Sequence, residues 1–187
     1  MREIVHRCKW VNMKNSLYIQ YHDAEWGAPQ HSEQVLFELL ILEGFQAGLS
    51  WECVLNKRER FRAVYDGFDV EKVSRYGEEK LQELLSDPGI VRNRLKVQAS
   101  VTNAKIFMQI QSEYGSFAAY IWGFTGGEAI YESYDVRTTS PLSDQIAKDL
   151  KRRGMKFVGS TVIYSYLQAI GVINGHGPEC DFYEKRG

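Results

Sequence analysis

The chain of 187 residues carries 23 Lys plus Arg against 24 Asp plus Glu, and 44% of it is hydrophobic, an ordinary composition for one globular domain or two small ones sharing a core. No stretch approaches the roughly 20 consecutive apolar residues of a membrane span, the N-terminal MREIVHRCKW lacks the apolar core of a signal peptide, and three cysteines at positions 8, 53 and 180 make no disulfide framework, so a cytoplasmic protein is expected. A formal net charge of −1 supplies no global field to attract a polyanion, and any such binding must come from a local patch.

The hydrophobic pattern predicts an all-α fold, helices separated by short turns with no alternating run long enough for a sheet. The first helix starts near Ser32, with Glu33 in its first turn, and runs to about Ala47. A second is expected from Ser50 to Tyr65, a short one from Asp69 to Tyr76, and another from Glu78 to Leu85, stopped by the Ser86-Asp87-Pro88-Gly89 turn. Ile90, Arg94, Val97, Val101, Ala104 and Met108 recur at helical spacing in a long helix that ends at Gly115, and Ser116 opens an aromatic helix over Phe117 to Phe124. Thr125 to Thr139 has no clear period. Ser140-Pro141 then reads as N-cap and first helical position of a helix ending at Gly154, a short hairpin follows over Met155 to Gly159, and a last helix runs from Ser160 to about Ile170. No repeat or long linker divides the chain, which reads as one unit over 1–187.

Placed on a wheel at about 100° per residue, Leu36, Leu39, Leu40 and Ala47 share one face of the first helix and Glu43 falls in its middle, while Glu38 falls opposite and is expected in solvent. A carboxylate directed into apolar surroundings is paired or functional, and pattern alone leaves open whether Glu43 meets an interior Arg. Gly44, Ala47 and Gly48 leave space at the helix end and Trp51 stands just beyond, so an acid, room and a large aromatic converge. Tyrosines near such an acid, Tyr18 and Tyr21 among them, would complete a slot for a flat cationic ring.

Two thiols and two imidazoles, Cys8, His22, His176 and Cys180, suit tetrahedral zinc, with ordinary packed thiols as the alternative. Four protein ligands leave no open position, so the metal would be a structural clasp between the chain ends (1–30 and 171–187) rather than a Lewis acid. Cys53 is read as a packed thiol. The densest positive cluster, Lys148, Lys151, Arg152, Arg153 and Lys156, leads into the hairpin, where Gly154 and Gly159 let backbone amides approach a phosphate. Lys57, Arg58, Arg60 and Arg62, and then Arg92, Arg94 and Lys96, offer further patches, although charge on a helix is commonly only a solvated face.

The strings Cys8-Lys9-Trp10, Tyr21 to Gly27 (YHDAEWG), Leu42 to Trp51 (LEGFQAGLSW) and Lys156 to Thr161 (KFVGST) resemble DNA-3-methyladenine glycosylase I, the Tag family, in the same order along nearly the whole chain. The resemblance implies a helix-hairpin-helix DNA glycosylase, two helical lobes sharing a cleft, that flips 3-methyladenine out of alkylated double-stranded DNA and hydrolyses its N-glycosidic bond. Under it Glu43 matches the base-recognising acid, Tyr21 and Trp51 the aromatic walls between which the base stacks, and Tyr18 a further pocket residue. Gly48 and Leu49 match the segment that probes the gap in the duplex, Lys156, Phe157, Val158 and Gly159 the hairpin that holds DNA backbone, and Cys8, His22, His176 and Cys180 the ligands of one structural Zn2+. With no Lys in a nucleophile position, a monofunctional enzyme without strand cleavage is expected, needing neither a membrane nor an obligate protein partner. Three departures stand out: Phe45 where relatives often carry Gln, expected to alter the pocket edge; Gly175 where an Asp is familiar; and a short tail after Cys180. A zinc-stabilised DNA-binding or lesion-sensing module without base release, and a zinc hydrolase with an open metal position, are the rival readings.

Overall fold

The computed structural model describes residues 5–132 and 137–183. An α-helix, α1 (Ser16–Gln20), capped by the Asn15 side chain, runs directly into one π-helical turn over Tyr21–Glu25. The pattern did not announce this pair, because five residues are too few to show a period. Then follow α2 (Glu33–Gln46), α3 (Trp51–Leu55), α4 (Arg58–Val64), α5 (Val70–Ser74), α6 (Glu78–Ser86), α7 (Arg94–Tyr114), α8 (Phe117–Gly123), α9 (Pro141–Arg153) and α10 (Ser160–Ala169). The expected Ser50–Tyr65 helix is thus two, broken at Asn56 and Lys57, and the long helix begins at Asn93, whose side chain caps the Lys96 amide, rather than at Ile90. Ser140 and Ser143 cap each other reciprocally at the start of α9, and Gly154 closes it in the left-handed region at φ 102°, as the sequence suggested.

The expectation of no sheet is corrected in one place: β1 (Ile130–Tyr131) pairs in parallel with β2 (Ile173–Asn174), Ile130 opposite Ile173. Two residues per strand carry no alternation to read, and the partners lie 43 positions apart. The remainder of the 125–139 segment at 133–136 lies outside the described residues.

Helix α2 sits at the centre, buried from Leu36 to Phe45 on all sides, packed by α7 through Phe37 and Phe107 and by α10 through the Tyr166 hydroxyl, which donates to the Leu36 carbonyl. A helix apolar all round is a core helix, and this overturns the solvated reading of Glu38. The face opposite Glu43 is covered by α4, where the Glu38 carboxylate accepts from Arg58 Nε at 2.5 Å and Arg62 Nε at 2.9 Å. Arg58, itself buried, also donates to Glu25 at 2.6 Å, tying the π-helical turn to α2 and α4.

Candidate active site and metal centre

Glu43 projects from α2 into a cavity of about 280 Å³ walled by Trp10, Tyr18, Tyr21, Trp26 and Trp51, with Gln46, Ser165 and Gln168 completing the lining. That volume is at the small end of ligand sites. Glu43 is 3% exposed, and its Oε2 has no hydrogen-bond partner among the described residues. Burial alone pushes its carboxyl up to about 8. The interior Arg that could have paired with it, Arg58, is committed to Glu38 and Glu25. The indole N–H groups of Trp10 and Trp51 are likewise buried and unpartnered. The lining of this cavity therefore carries one unmet acceptor and two unmet donors beside apolar rings, the chemistry of a pocket for a flat heterocycle.

Tyr21 and Trp51 do not face each other across a gap. Their ring centroids are 5.1 Å apart at 44°, whereas a base between two parallel rings needs about 7 Å, twice the ~3.5 Å contact distance. The two rings make one continuous wall, with no slot between them. Trp10 and Tyr18, 5.3 Å apart, form another part of the lining. Trp10, Trp26, Gln46, Ser165 and Gln168 are the lining residues that sequence reasoning did not place in the pocket; Gln46, three positions after Glu43, was within reach of the helical period. Phe45 does not alter the pocket edge as expected: it is buried against Phe61 and Tyr65 in the core.

Beyond α2 the chain turns out to solvent. Gly48 adopts φ +81°, with open space where a Cβ would stand, and Leu49 is 42% exposed beside it. The hairpin between α9 and α10 is pinned by Asn103 of α7, whose side-chain amide donates to the Lys156 carbonyl at 2.9 Å and accepts from the Lys156 amide at 2.8 Å. Phe157 takes the left-handed conformation at φ +56°. Lys156 is exposed, Phe157 and Gly159 are half-buried, and Val158 packs into the core.

The positive patches are smaller than the sequence suggested. Arg153 is held by Glu113 and Asp149, and Arg152 by Asp149. In the second stretch Arg60 pairs with Asp87, Arg62 with Glu38 and Glu59, and Lys57 donates to the Pro88 carbonyl. Around the hairpin, Lys148, Lys151 and Lys156 remain exposed.

Cys8, His22, His176 and Cys180 come together in a buried cluster, their ligand atoms all within 4.8 Å of one another. Cys8 Sγ lies 3.5 Å and Cys180 Sγ 3.3 Å from His176 Nδ1, and Cys180 Sγ lies 3.6 Å from His22 Nε2. A tetrahedron with Zn–S of about 2.3 Å and Zn–N of about 2.05 Å has S···N edges of about 3.5 Å, so the donor set and its spacing fit that ion. The other ring nitrogens are already engaged: His22 Nδ1 with Asp23 at 2.8 Å, and His176 Nε2 with the Trp26 carbonyl at 3.1 Å. Arg7 grips Asp23 in turn at 2.6–2.9 Å, an outer layer of the kind that orients imidazoles towards a metal and one that spacing did not reveal. Gly175 is closely packed here: a Cβ would stand 2.4 Å from Gln168 Nε2 and 3.2 Å from the Trp26 ring, so a side chain would require Gln168 to move.

Comparison with known proteins places these features in context. The sequence model of the methyladenine glycosylase family matches residues 10–184. DNA-3-methyladenine glycosylase 1 of Escherichia coli (strain K12) is 42% identical, covering 95% of this chain and 96% of its own length. A crystal structure of 3-methyladenine DNA glycosylase I superposes with a TM-score of 0.90 at 43% identity, covering 94% of this chain and 98% of the other. A variant of 3-methyladenine DNA glycosylase I in complex with 3-methyladenine superposes at 0.87 with 34% identity, covering 90% and 93%.

Proposed function

From the premise that the chain belongs to the methyladenine glycosylase family, we propose how its residues carry out the excision. It is a base-excision repair N-glycosylase that hydrolytically releases 3-methyladenine from alkylated DNA. The observation that carries the assignment of roles is the buried, unpaired Glu43 carboxyl in a cavity walled by aromatic rings.

Methylation at N3 leaves adenine positively charged and weakens its bond to the sugar, so discrimination is the larger task. A damaged nucleotide turned out of the duplex, at an unstacking cost of a few kcal/mol that the lesion lowers, lays its base against the Tyr21 and Trp51 rings, with Tyr18 and Trp10 as further lining. Glu43 then accepts from the base edge and, once ionised, opposes its charge in a site where that interaction is little screened. A neutral adenine offers no such compensation for ionising a carboxyl that burial holds up at about 8. Gly48 and Leu49 enter the gap left in the duplex, and the backbone of Lys156 to Gly159, with the nearby lysines, holds phosphates. No lysine lines the cavity among the described residues, which supports release of base without strand cleavage.

Cys8, His22, His176 and Cys180 would hold one zinc ion as a structural clasp; when bound, it supplies folding stability and not a reacting centre, since all four positions are filled by protein. The clasp joins 5–30 to 171–183 and so draws the chain into one unit. No helix among the described residues is long and apolar enough to cross a membrane, and we place the protein in the cytoplasm.

The test is release of free base from methylated duplex DNA, measured chromatographically. The native protein frees 3-methyladenine and leaves the strand intact; Glu43→Gln, folded, loses at least about tenfold in rate through the missing charge-assisted contact, equivalent to about 1.4 kcal/mol. Full activity of Glu43→Gln would remove the assigned role, and binding of alkylated DNA without base release would favour a sensing module.

A further inference from the structure

Lys96, read from the sequence as part of a basic patch with Arg92 and Arg94, is instead buried and bonded to backbone, which removes it from that patch. It is the one buried lysine among the described residues, in the first turn of α7, and it does not line the Glu43 cavity. Its ammonium donates to the carbonyls of Phe45 at 2.8 Å and Ala47 at 2.5 Å, at the end of α2. On another side it lies 5.9 Å from the centre of the Phe157 ring in the hairpin. Phe157 is also close to α2 itself, its Cβ 3.6 Å and its carbonyl oxygen 3.7 Å from where a side chain on Gly44 would begin.

The last carbonyls of a helix need donors from outside it, and a cation is favoured there by the helix dipole. A solvated side chain could meet that need at less cost than a desolvated ammonium. What burial adds here is connection: one charged group bonds the residues immediately before the exposed Gly48–Leu49 turn and also rests on an aromatic ring of the hairpin. Both contacts are directional or short in range, so they define how far the turn stands from the hairpin.

We propose that Lys96 is a positioning residue for engagement of duplex DNA, holding the Gly48–Leu49 turn and the 155–159 hairpin in one fixed relation so that both meet the same duplex. The proposal rests on the reading above of those two segments as DNA contacts. Without the ammonium, the carbonyls of Phe45 and Ala47 lose their bridge and the turn must be ordered when DNA binds, which weakens binding. Of the base pocket only Gln46 comes from this helix end; Glu43, Trp51 of α3, α10 and the N-terminal aromatics supply the rest of its lining, so it is expected to keep its affinity for free base.

Lys96→Met separates the two effects. Binding of free 3-methyladenine is followed by quenching of tryptophan fluorescence, and excision is followed on methylated duplex DNA. The expected result is a KM for duplex raised about tenfold, with the free-base Kd within about twofold of native. Lys96→Arg, whose planar fork can reach two carbonyls and stack on Phe157, should recover most of the loss. An unchanged KM, or free-base affinity falling in parallel with it, overturns the proposal, the second outcome marking a general structural role. If Lys96→Met does not fold, Lys96→Gln carries the same comparison, and failure of both to fold also overturns it. Failure of the native protein to release base would instead refute the functional reading, independently of Lys96.

Discussion

Replacing Glu43 by Gln should stabilise the fold in a strongly pH-dependent way while abolishing most of the activity. Burial raises the carboxyl from its ordinary value of 4.5 to about 8 in the folded protein. Between those two values the native state binds more protons than the unfolded chain, so this group's contribution to stability is greatest below pH 4.5 and is lost as pH rises towards 8. The full span corresponds to about 5 kcal/mol at 1.36 kcal/mol per pH unit, an upper bound for a side chain this buried. Glutamine does not titrate, so the variant escapes that loss, while the desolvation of its amide is a cost independent of pH. The advantage of Glu43→Gln over the native protein should therefore be about 3 kcal/mol larger at pH 8.5 than at pH 5.5. For a domain of this size that is about 6–12 °C in the difference of melting temperatures. Circular dichroism melts of both proteins at both pH values measure it, and taking the difference between proteins cancels titrations they share. A stability difference that stays flat with pH, or shrinks as pH rises, would show that Glu43 is already ionised in the folded protein over this range and is not held neutral by burial.

Other consequences can be measured directly. Purified protein should contain about one zinc per chain by mass spectrometry; Cys8→Ser should lose it and melt about 10 °C lower, whereas unchanged metal content and stability would remove the clasp. Arg58→Met leaves the Glu38 carboxylate buried without its principal cation and should cost about 3–5 kcal/mol by urea denaturation; a loss below about 1 kcal/mol would mean that Arg62 and water suffice. Asn103→Ala removes both bonds that pin Lys156, and should reduce affinity for duplex DNA several-fold while costing about 1–3 kcal/mol in stability. Unaltered DNA affinity would mean that the hairpin holds its shape without Asn103.

Much of the secondary structure could be read because its signals are local. Ser140-Pro141 and Gly154 bound α9, Asp69 caps α5, and Ser116 caps α8, each through backbone contacts a few residues away. The breaks were harder: α3 and α4 share an apolar face that continues across the turn at Asn56 and Lys57, so periodicity reads through it. The short α1 and the two-residue strands offered too few positions for any period. Glu38 was misplaced for a different reason. A wheel assumes one wet face, and α2 has none, because other helices enclose it.

The site divides in the same way. From the sequence alone came the family resemblance, Glu43 on an apolar helix face, the aromatic residues around it, and two thiols and two imidazoles of the right chemistry, since these depend on residue type and on spacing within short strings. Only the tertiary structure decided that Glu43 Oε2 is without a partner among the described residues, that Tyr21 and Trp51 touch rather than face each other, and that four candidate ligands separated by up to 172 positions converge within 4.8 Å. It also decided which cations are already neutralised and that Lys96 is buried between helix end and hairpin. The physical reason is that desolvation and pairing are set by whatever packs against a side chain, and those neighbours arrive from elements far away in the chain.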